Sequence, residues 1–153
     1  RWGKAYLNVG FAFDHGDSLL VHLRNGIVER GLSVEVFFDL GIDAKKGPFG
    51  QAALDASVLR FQQKNWSGGP PYPAMYYDPR ALEPESYASL HAKHVVVDER
   101  ITLMTSANFT DRGQTRNIEA GVLIEDDAFA RRLVSHWRGL VSAGLMVRVG
   151  GTI

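Results

Sequence analysis

The stretch AYLNVGFAFDHGDSLLVHLRNGIVERGLSVEVFFDL, Ala5 to Leu40, changes its hydrophobic period twice. Ala5–Phe13 is almost continuously apolar, as a strand covered on both faces must be. From Asp17 the period lengthens. Leu19, Leu20, Leu23 and Ile27 fall at helical spacing, with Asp17 or Ser18 placed to cap the start and Gly31 to stop the helix. Leu32–Leu40 is rich in β-branched and aromatic residues and predicts a second strand. Strand, helix and strand make a βαβ unit, which predicts parallel pairing through a right-handed crossover.

Downstream the character changes, because all six prolines lie between Pro48 and Pro84. A helix over 51–66 and a short strand over 74–78 are expected there. The segment at about 44–88 reads as an excursion on the sheet rim, where substrate-selecting loops sit. HAKHVVVD (91–98) and ITLMTS (101–106) predict two strands joined as a hairpin, and IEAGVLIED (118–126) a further strand. Phe129, Leu133, Trp137 and Leu140 form one stripe of a helix closed by Gly144, and residues 145–150 give a last strand. The expected fold class is α/β, a mixed, largely parallel β-sheet flanked by helices on both faces, in one domain spanning residues 1–153.

Composition narrows the function classes. Hydrophobic residues make up 45% and charged residues 22%, as in ordinary globular domains. Lys+Arg and Asp+Glu both number 17, which argues against a generally basic polyanion binder and leaves room for a local basic patch. With no cysteine, neither a disulfide framework nor a thiolate metal site can form. No apolar run approaches the length of a membrane span, and RWGKAYLNVG lacks the pattern of a signal peptide, so a cytoplasmic protein is expected. The chain starts without Met and enters a strand at once, which reads as a segment of a longer protein.

The chemistry concentrates in SLHAKHVVVDERITLMTSANFT, Ser89 to Thr110. Residues two apart on a strand share a face, so His91 and Lys93 point one way and His94 the other. The hairpin returns Ser106 and Asn108 to the same entrance, and Glu119 opens the next strand. A nucleophile or base, a fixed cation, an amide, a hydroxyl and a carboxylate around one point suit transfer of a phosphoryl group, whose oxygens need several donors and a cation.

His91-x-Lys93-x4-Asp98, followed by Ser106-x-Asn108 and Glu119, resembles the HKD motif of the phospholipase D superfamily, with the order and spacing of its single-motif bacterial nucleases. SLHAKHVVVD, TSANFTDRG and RNIEAGVLIED resemble most closely the phospholipase D-like component of the DISARM phage-defence system. The likeness covers nearly the whole chain in element order and is strong in wording over Leu90–Glu125. It implies a metal-independent phosphodiesterase without cofactor, in which His91 attacks phosphorus in one copy and protonates the leaving oxygen in the other. By the same likeness Lys93 and Asn108 hold non-bridging oxygens. Glu119 accepts a hydrogen bond from His91, Ser106 orients the phosphate loop, and Asp98 completes the catalytic set chiefly by anchoring the hairpin turn. None of His15, His22, His94 and His136 is followed by x-Lys, so the second histidine is expected from another subunit of a homodimer. The family usually has Gly where this chain has Thr105, a β-branched residue expected to resist a positive φ and to narrow the substrate loop.

Plainer readings compete at each residue. A lone His91 is more often a satisfied structural histidine, and five further positions in register reverse that balance. His91 and His94 as a metal pair would suit a helix, whereas the valines after them predict a strand that splays the two rings apart. Arg112 and Arg116 flank the site and are candidates for substrate phosphate, although surface arginines are commonly only solvated. Trp66, Tyr72, Tyr76 and Tyr77 are candidates for base stacking, with burial the commoner role. Nucleic acid, most plausibly DNA, is the expected substrate, and other defence-system subunits are expected partners. A phospholipid or cardiolipin hydrolase is the enzymatic alternative. A DNA-binding module that barely turns over is the non-enzymatic one.

Overall fold

A computed structural model of the chain describes residues 3–9, 17–110, 113 and 115–150. In chain order the elements are β1 (Lys4–Val9), α1 (Asp17–Arg30), β2 (Ser33–Phe38), α2 (Gly50–Asn65), β3 (Ala74–Tyr77), a 3₁₀ turn (Pro79–Leu82), β4 (Lys93–Val97), β5 (Ile101–Thr105), β6 (Gly121–Glu125), α3 (Asp127–Ser142) and β7 (Val147–Arg148). Seven strands form one sheet in the order β6-β5-β4-β1-β2-β3-β7. The βαβ unit read from residues 5–40 is its centre, with β1 parallel to β2 and β2 parallel to β3.

The sheet is mixed as expected, but its parallel part is smaller than expected. β4 runs antiparallel to β1, β5 to β4, β6 to β5, and β7 to β3. The reason at β4 and β5 is local: three residues join them, and so short a connection reverses the chain. The strand expected over Ala5–Phe13 is observed over Lys4–Val9, and residues 10–13 lie outside the described residues.

Alternation along the strands divides the core in two. Val34, Val36 and Phe38 of β2 and Met75 and Tyr77 of β3 are buried together with Leu20 of α1 and with Leu54 and Phe61 of α2. The opposite face carries Phe37, whose ring stacks on Tyr76 at 4.8 Å and meets Trp137 of α3 at 5.2 Å. There Val96 of β4 packs on Ala130 and Val134. Helices therefore cover both faces, as read from the sequence.

α1 ends as the sequence predicts. Gly31 adopts φ +65, and its N–H bonds the Ile27 carbonyl at 3.1 Å, an αL cap that a side chain would strain. At α3 the side chain of Asp126 accepts from the Phe129 N–H at 2.8 Å and caps the first turn. Between β4 and β5 the chain turns through Asp98 and Glu99, at φ +53 and +55. Two successive positive-φ residues closed by the Arg100 N–H to Val97 carbonyl bond at 3.0 Å make a tight turn, and the pairing of Val97 with Ile101 leaves residues 98–100 between the strands.

Register places the site. Val9 is opposite both Phe38 and Lys93, and Thr105 is opposite Gly121. The carboxyl ends of β1, β2 and β5 and the amino ends of β4 and β6 thus share one edge of the molecule, where open α/β sheets bind ligands.

Candidate active site

Lys93 begins β4 and points to the face shared by α1 and α2, which leaves it 8% exposed. Its Nζ lies 3.0 Å from Nδ1 and 2.9 Å from Nε2 of His91, and donates to the His91 carbonyl at 2.9 Å. An ammonium has donors only, so it serves whichever ring nitrogen carries the lone pair. The His91 side is exposed, open to an incoming molecule. Burial pushes the Lys93 amine below its usual range, while the charge of Glu119 pulls it back up.

Ser106 and Glu119 close the other side. Ser106 Oγ donates to Glu119 Oε2 at 2.5 Å and accepts from the Ala120 N–H at 3.1 Å, and Asn117 Nδ2 donates to Glu119 Oε1 at 2.9 Å. These two side-chain bonds hold the Glu119 carboxyl below its ordinary value, with the Lys93 charge adding to them. Ser106 and Asn117 thus fix the Glu119 carboxylate, while Lys93 is set against the His91 ring. Asn117 escaped the sequence reading, although its place two residues before Glu119 puts both on one face of an extended segment.

Asn108 leaves the end of β5 with its Oδ1 buried and no hydrogen-bond partner among the described residues. Its backbone carbonyl accepts from the Thr110 N–H at 2.8 Å, and a Cβ at Gly113 would collide with that same oxygen. The loop is tightly folded behind the amide.

Thr105 resolves differently from the expectation. It is the last residue of β5 and is not among the positive-φ residues of the described chain, so its β-branch meets no backbone strain. Its Oγ1 accepts from the Ala107 N–H at 3.0 Å and donates to the Ala120 carbonyl at 3.4 Å. Gly121 sits opposite, and a Cβ there would stand 3.2 Å from Thr105 Cβ. The missing side chain at Gly121 leaves room for the threonine across the strand pair. Thr105 thus ties the end of β5 to the Ala107 and Ala120 backbone.

Asp98 lies at the far end of β4, in the hairpin turn, and its Oδ1 accepts from the Gly3 N–H at 2.7 Å. This tie fits the anchoring of the hairpin turn expected of Asp98, which stands just past the end of β4 opposite to Lys93. Arg112 lies outside the described residues, and Arg116 is exposed in the segment leading to Glu119. His94 points to the opposite face, 4% exposed, its ring 5.6 Å from Trp137. Trp66 is buried with its Nε1 donating to the Pro71 carbonyl, and Tyr76 and Tyr77 are sheet residues, which leaves Tyr72 exposed among the stacking candidates.

This constellation sits in a chain whose residues 9–140 match the family model described as cardiolipin synthase, PLD-like domain. The chain belongs to the phospholipase D superfamily. Membership places it among enzymes of phosphodiester hydrolysis or transfer. No curated protein matches it in sequence. Among solved structures, NucT from Helicobacter pylori aligns at TM-score 0.60 and 13% identity, over 95% of this chain and 82% of that one. The phospholipase D family member Nuc from Salmonella typhimurium aligns at 0.58 and 18%, over 95% and 81%. Phosphatidylserine synthase from Haemophilus influenzae Rd KW20 aligns at 0.57 and 18%, over 95% of this chain and 34% of that one. At these identities the likeness is one of phospholipase D fold. It shows the fold alone and does not reach the narrower resemblance to a defence-system component. Among the described residues no helix is long and apolar enough to cross a membrane.

Proposed function

We infer that the protein is a metal-independent phosphodiesterase that cleaves nucleic acid, with one active site assembled from two copies of the chain. The observation that carries this reading is the Lys93 ammonium set 2.9–3.0 Å from both ring nitrogens of an exposed His91, with the Glu119 charge within reach. His91 of one copy attacks phosphorus, the P–O bond to the leaving group breaks, and the partner's His91 gives that oxygen its proton. Water, losing a proton to the same partner imidazole, then attacks the phosphohistidine and frees His91. Lys93 and the donor end of the Asn108 amide, whose acceptor end is buried, hold the non-bridging oxygens. Glu119, fixed by Ser106 and Asn117, acts by keeping Lys93 a cation against the burial that favours its neutral form.

Apolar surface beside the site supports a second copy. Ile118, just before Glu119, and Val122 and Leu123 of β6 are 103%, 52% and 61% exposed. The defence-system resemblance of the Leu90–Glu125 wording supports work within a larger complex, in phage defence.

Hydrolysis of bis(4-nitrophenyl) phosphate and of single-stranded DNA in excess EDTA tests the chemistry. His91→Ala is expected to lose activity by about 10³-fold or more, and mass spectrometry after brief exposure to a slow substrate is expected to find phosphorylated His91. Equal rates in parent and variant contradict the catalytic reading.

A further inference from the structure

Beside His91 lies an open cleft of about 590 Å³ that the chemistry above does not use. One wall is the loop after β2, including Gly41 and Lys45; the other runs from Ser86 to Ser89, two residues before His91. Asp39 fastens the walls at the site end, its Oδ2 accepting from the Leu90 N–H and its Oδ1 from the Gly41 N–H, both at 2.7 Å. The Glu85 N–H reaches the Ala44 carbonyl at 3.0 Å and fastens them again. Behind, the Leu40 carbonyl accepts from Ser57 Oγ at 2.8 Å and Arg60 Nη2 at 2.6 Å, so the first wall is held by α2. The cleft is therefore a built feature with a rigid frame, in the size range of small-molecule sites.

Its lining is informative. Tyr87 is 75% exposed, the most open aromatic of the described chain, and it lines the cleft rather than the core. Lys45 supplies a cation on the opposite wall. The two carboxylates present are already engaged: Asp39 as above, and Asp43 by the backbone N–H groups of Lys45 and Lys46 at 2.9 and 3.1 Å. A flat aromatic face with a cation across a cleft is the chemistry that receives a base and its phosphate without reading sequence.

We propose that this cleft is the subsite for the nucleotide next to the scissile phosphate, with Tyr87 stacking on its base and Lys45 neutralising its phosphate. The assignment rests on the nucleic-acid reading above and adds a place for the substrate's neighbouring nucleotide. Kinetics of the parent, Tyr87→Ala, Tyr87→Phe and Lys45→Ala on a single-stranded DNA oligonucleotide and on bis(4-nitrophenyl) phosphate test it. Leu59→Ala, at an exposed position of α2 outside the cleft, serves as control. Tyr87→Ala is expected to raise KM for the oligonucleotide by about five-fold or more, with a smaller change for the chromogenic diester, and Phe to restore most of the loss. Lys45→Ala is expected to reduce the salt slope of oligonucleotide binding by about one. Anisotropy of a fluorescein-labelled oligonucleotide on the His91→Ala background gives the same comparison without turnover, so failure of catalysis and failure of the subsite are told apart. The proposal is overturned if Tyr87→Ala leaves the KM ratio of the two substrates unchanged or does not weaken oligonucleotide binding. It is equally overturned if Tyr87→Ala raises KM for anionic phospholipid vesicles alone.

Discussion

His94 and Lys93 are neighbours in sequence with opposite fates, because strand alternation sends one ring under α3 and the other side chain into the site. Burial, with the nearby His136 charge, pushes the His94 imidazole down to about 4, against an unfolded value near 6.5. The folded state thus holds this ring neutral where the unfolded chain binds a proton. Its contribution to stability is complete above pH 6.5 and declines as pH falls toward 4, by up to about 3 kcal/mol. Denaturant unfolding of the parent between pH 7 and 4 is expected to show that decline, and His94→Phe to flatten it. Glu119 and Asp126, both held low, act in a more acid window, below the ordinary carboxylate range. A parent whose stability is level from pH 6.5 to 4 contradicts the burial of a neutral ring. The opposed directions of Lys93 and His94 were legible from the period-two rule alone. The accommodation of Thr105 was not, since it depends on Gly121, sixteen residues away in sequence and opposite only once β5 and β6 pair.

At the scale of elements, the hairpin between β4 and β5 was legible from two β-rich runs separated by a short polar segment, but its turn was not. Asp98–Glu99 lacks the Asn-Gly signal of a tight turn, and only the tie from Asp98 to Gly3 explains why an acidic pair holds two positive φ angles. Asp98 uses its side chain for that tie, and Glu99 holds φ +55 as a non-glycine residue. Glu99→Gly is expected to raise stability by about 0.5–1 kcal/mol, with activity on a chromogenic diester unchanged because the turn is at the far end of β4 from Lys93. Glu99→Val is expected to lower it. Thermal melts of both variants read the difference, and a loss of activity in Glu99→Gly would return this turn to the site. β6 was read too long, over Ile118–Asp126, because Ile118 continues an apolar pattern. In the structure Ile118 is fully exposed and stands outside the strand.

For the whole molecule, the proposed two-histidine reaction raises the question of how a chain with one such motif carries it out. His91 is exposed rather than enclosed, and apolar side chains lie open along β6 from Glu119 onward. A single copy offers one imidazole in this motif, which can act as nucleophile or as acid but not both at one phosphate. A shared site makes activity depend on pairs of intact chains, which subunit mixing can measure. If parent protein is equilibrated with a nine-fold excess of inactive His91→Ala, about one tenth of the parent chains remain paired with another parent, and activity per parent chain is expected to fall to about one tenth. Self-sufficient monomers would keep the full rate at any ratio. Light scattering with Leu123→Lys supplies the structural counterpart: a charge on the exposed strand is expected to shift the mass toward a single chain and to lower activity at dilute concentration, where pairing is limiting. A dimer that persists in Leu123→Lys with undiminished activity moves the interface elsewhere, and undiluted activity in the mixing experiment removes the shared site altogether.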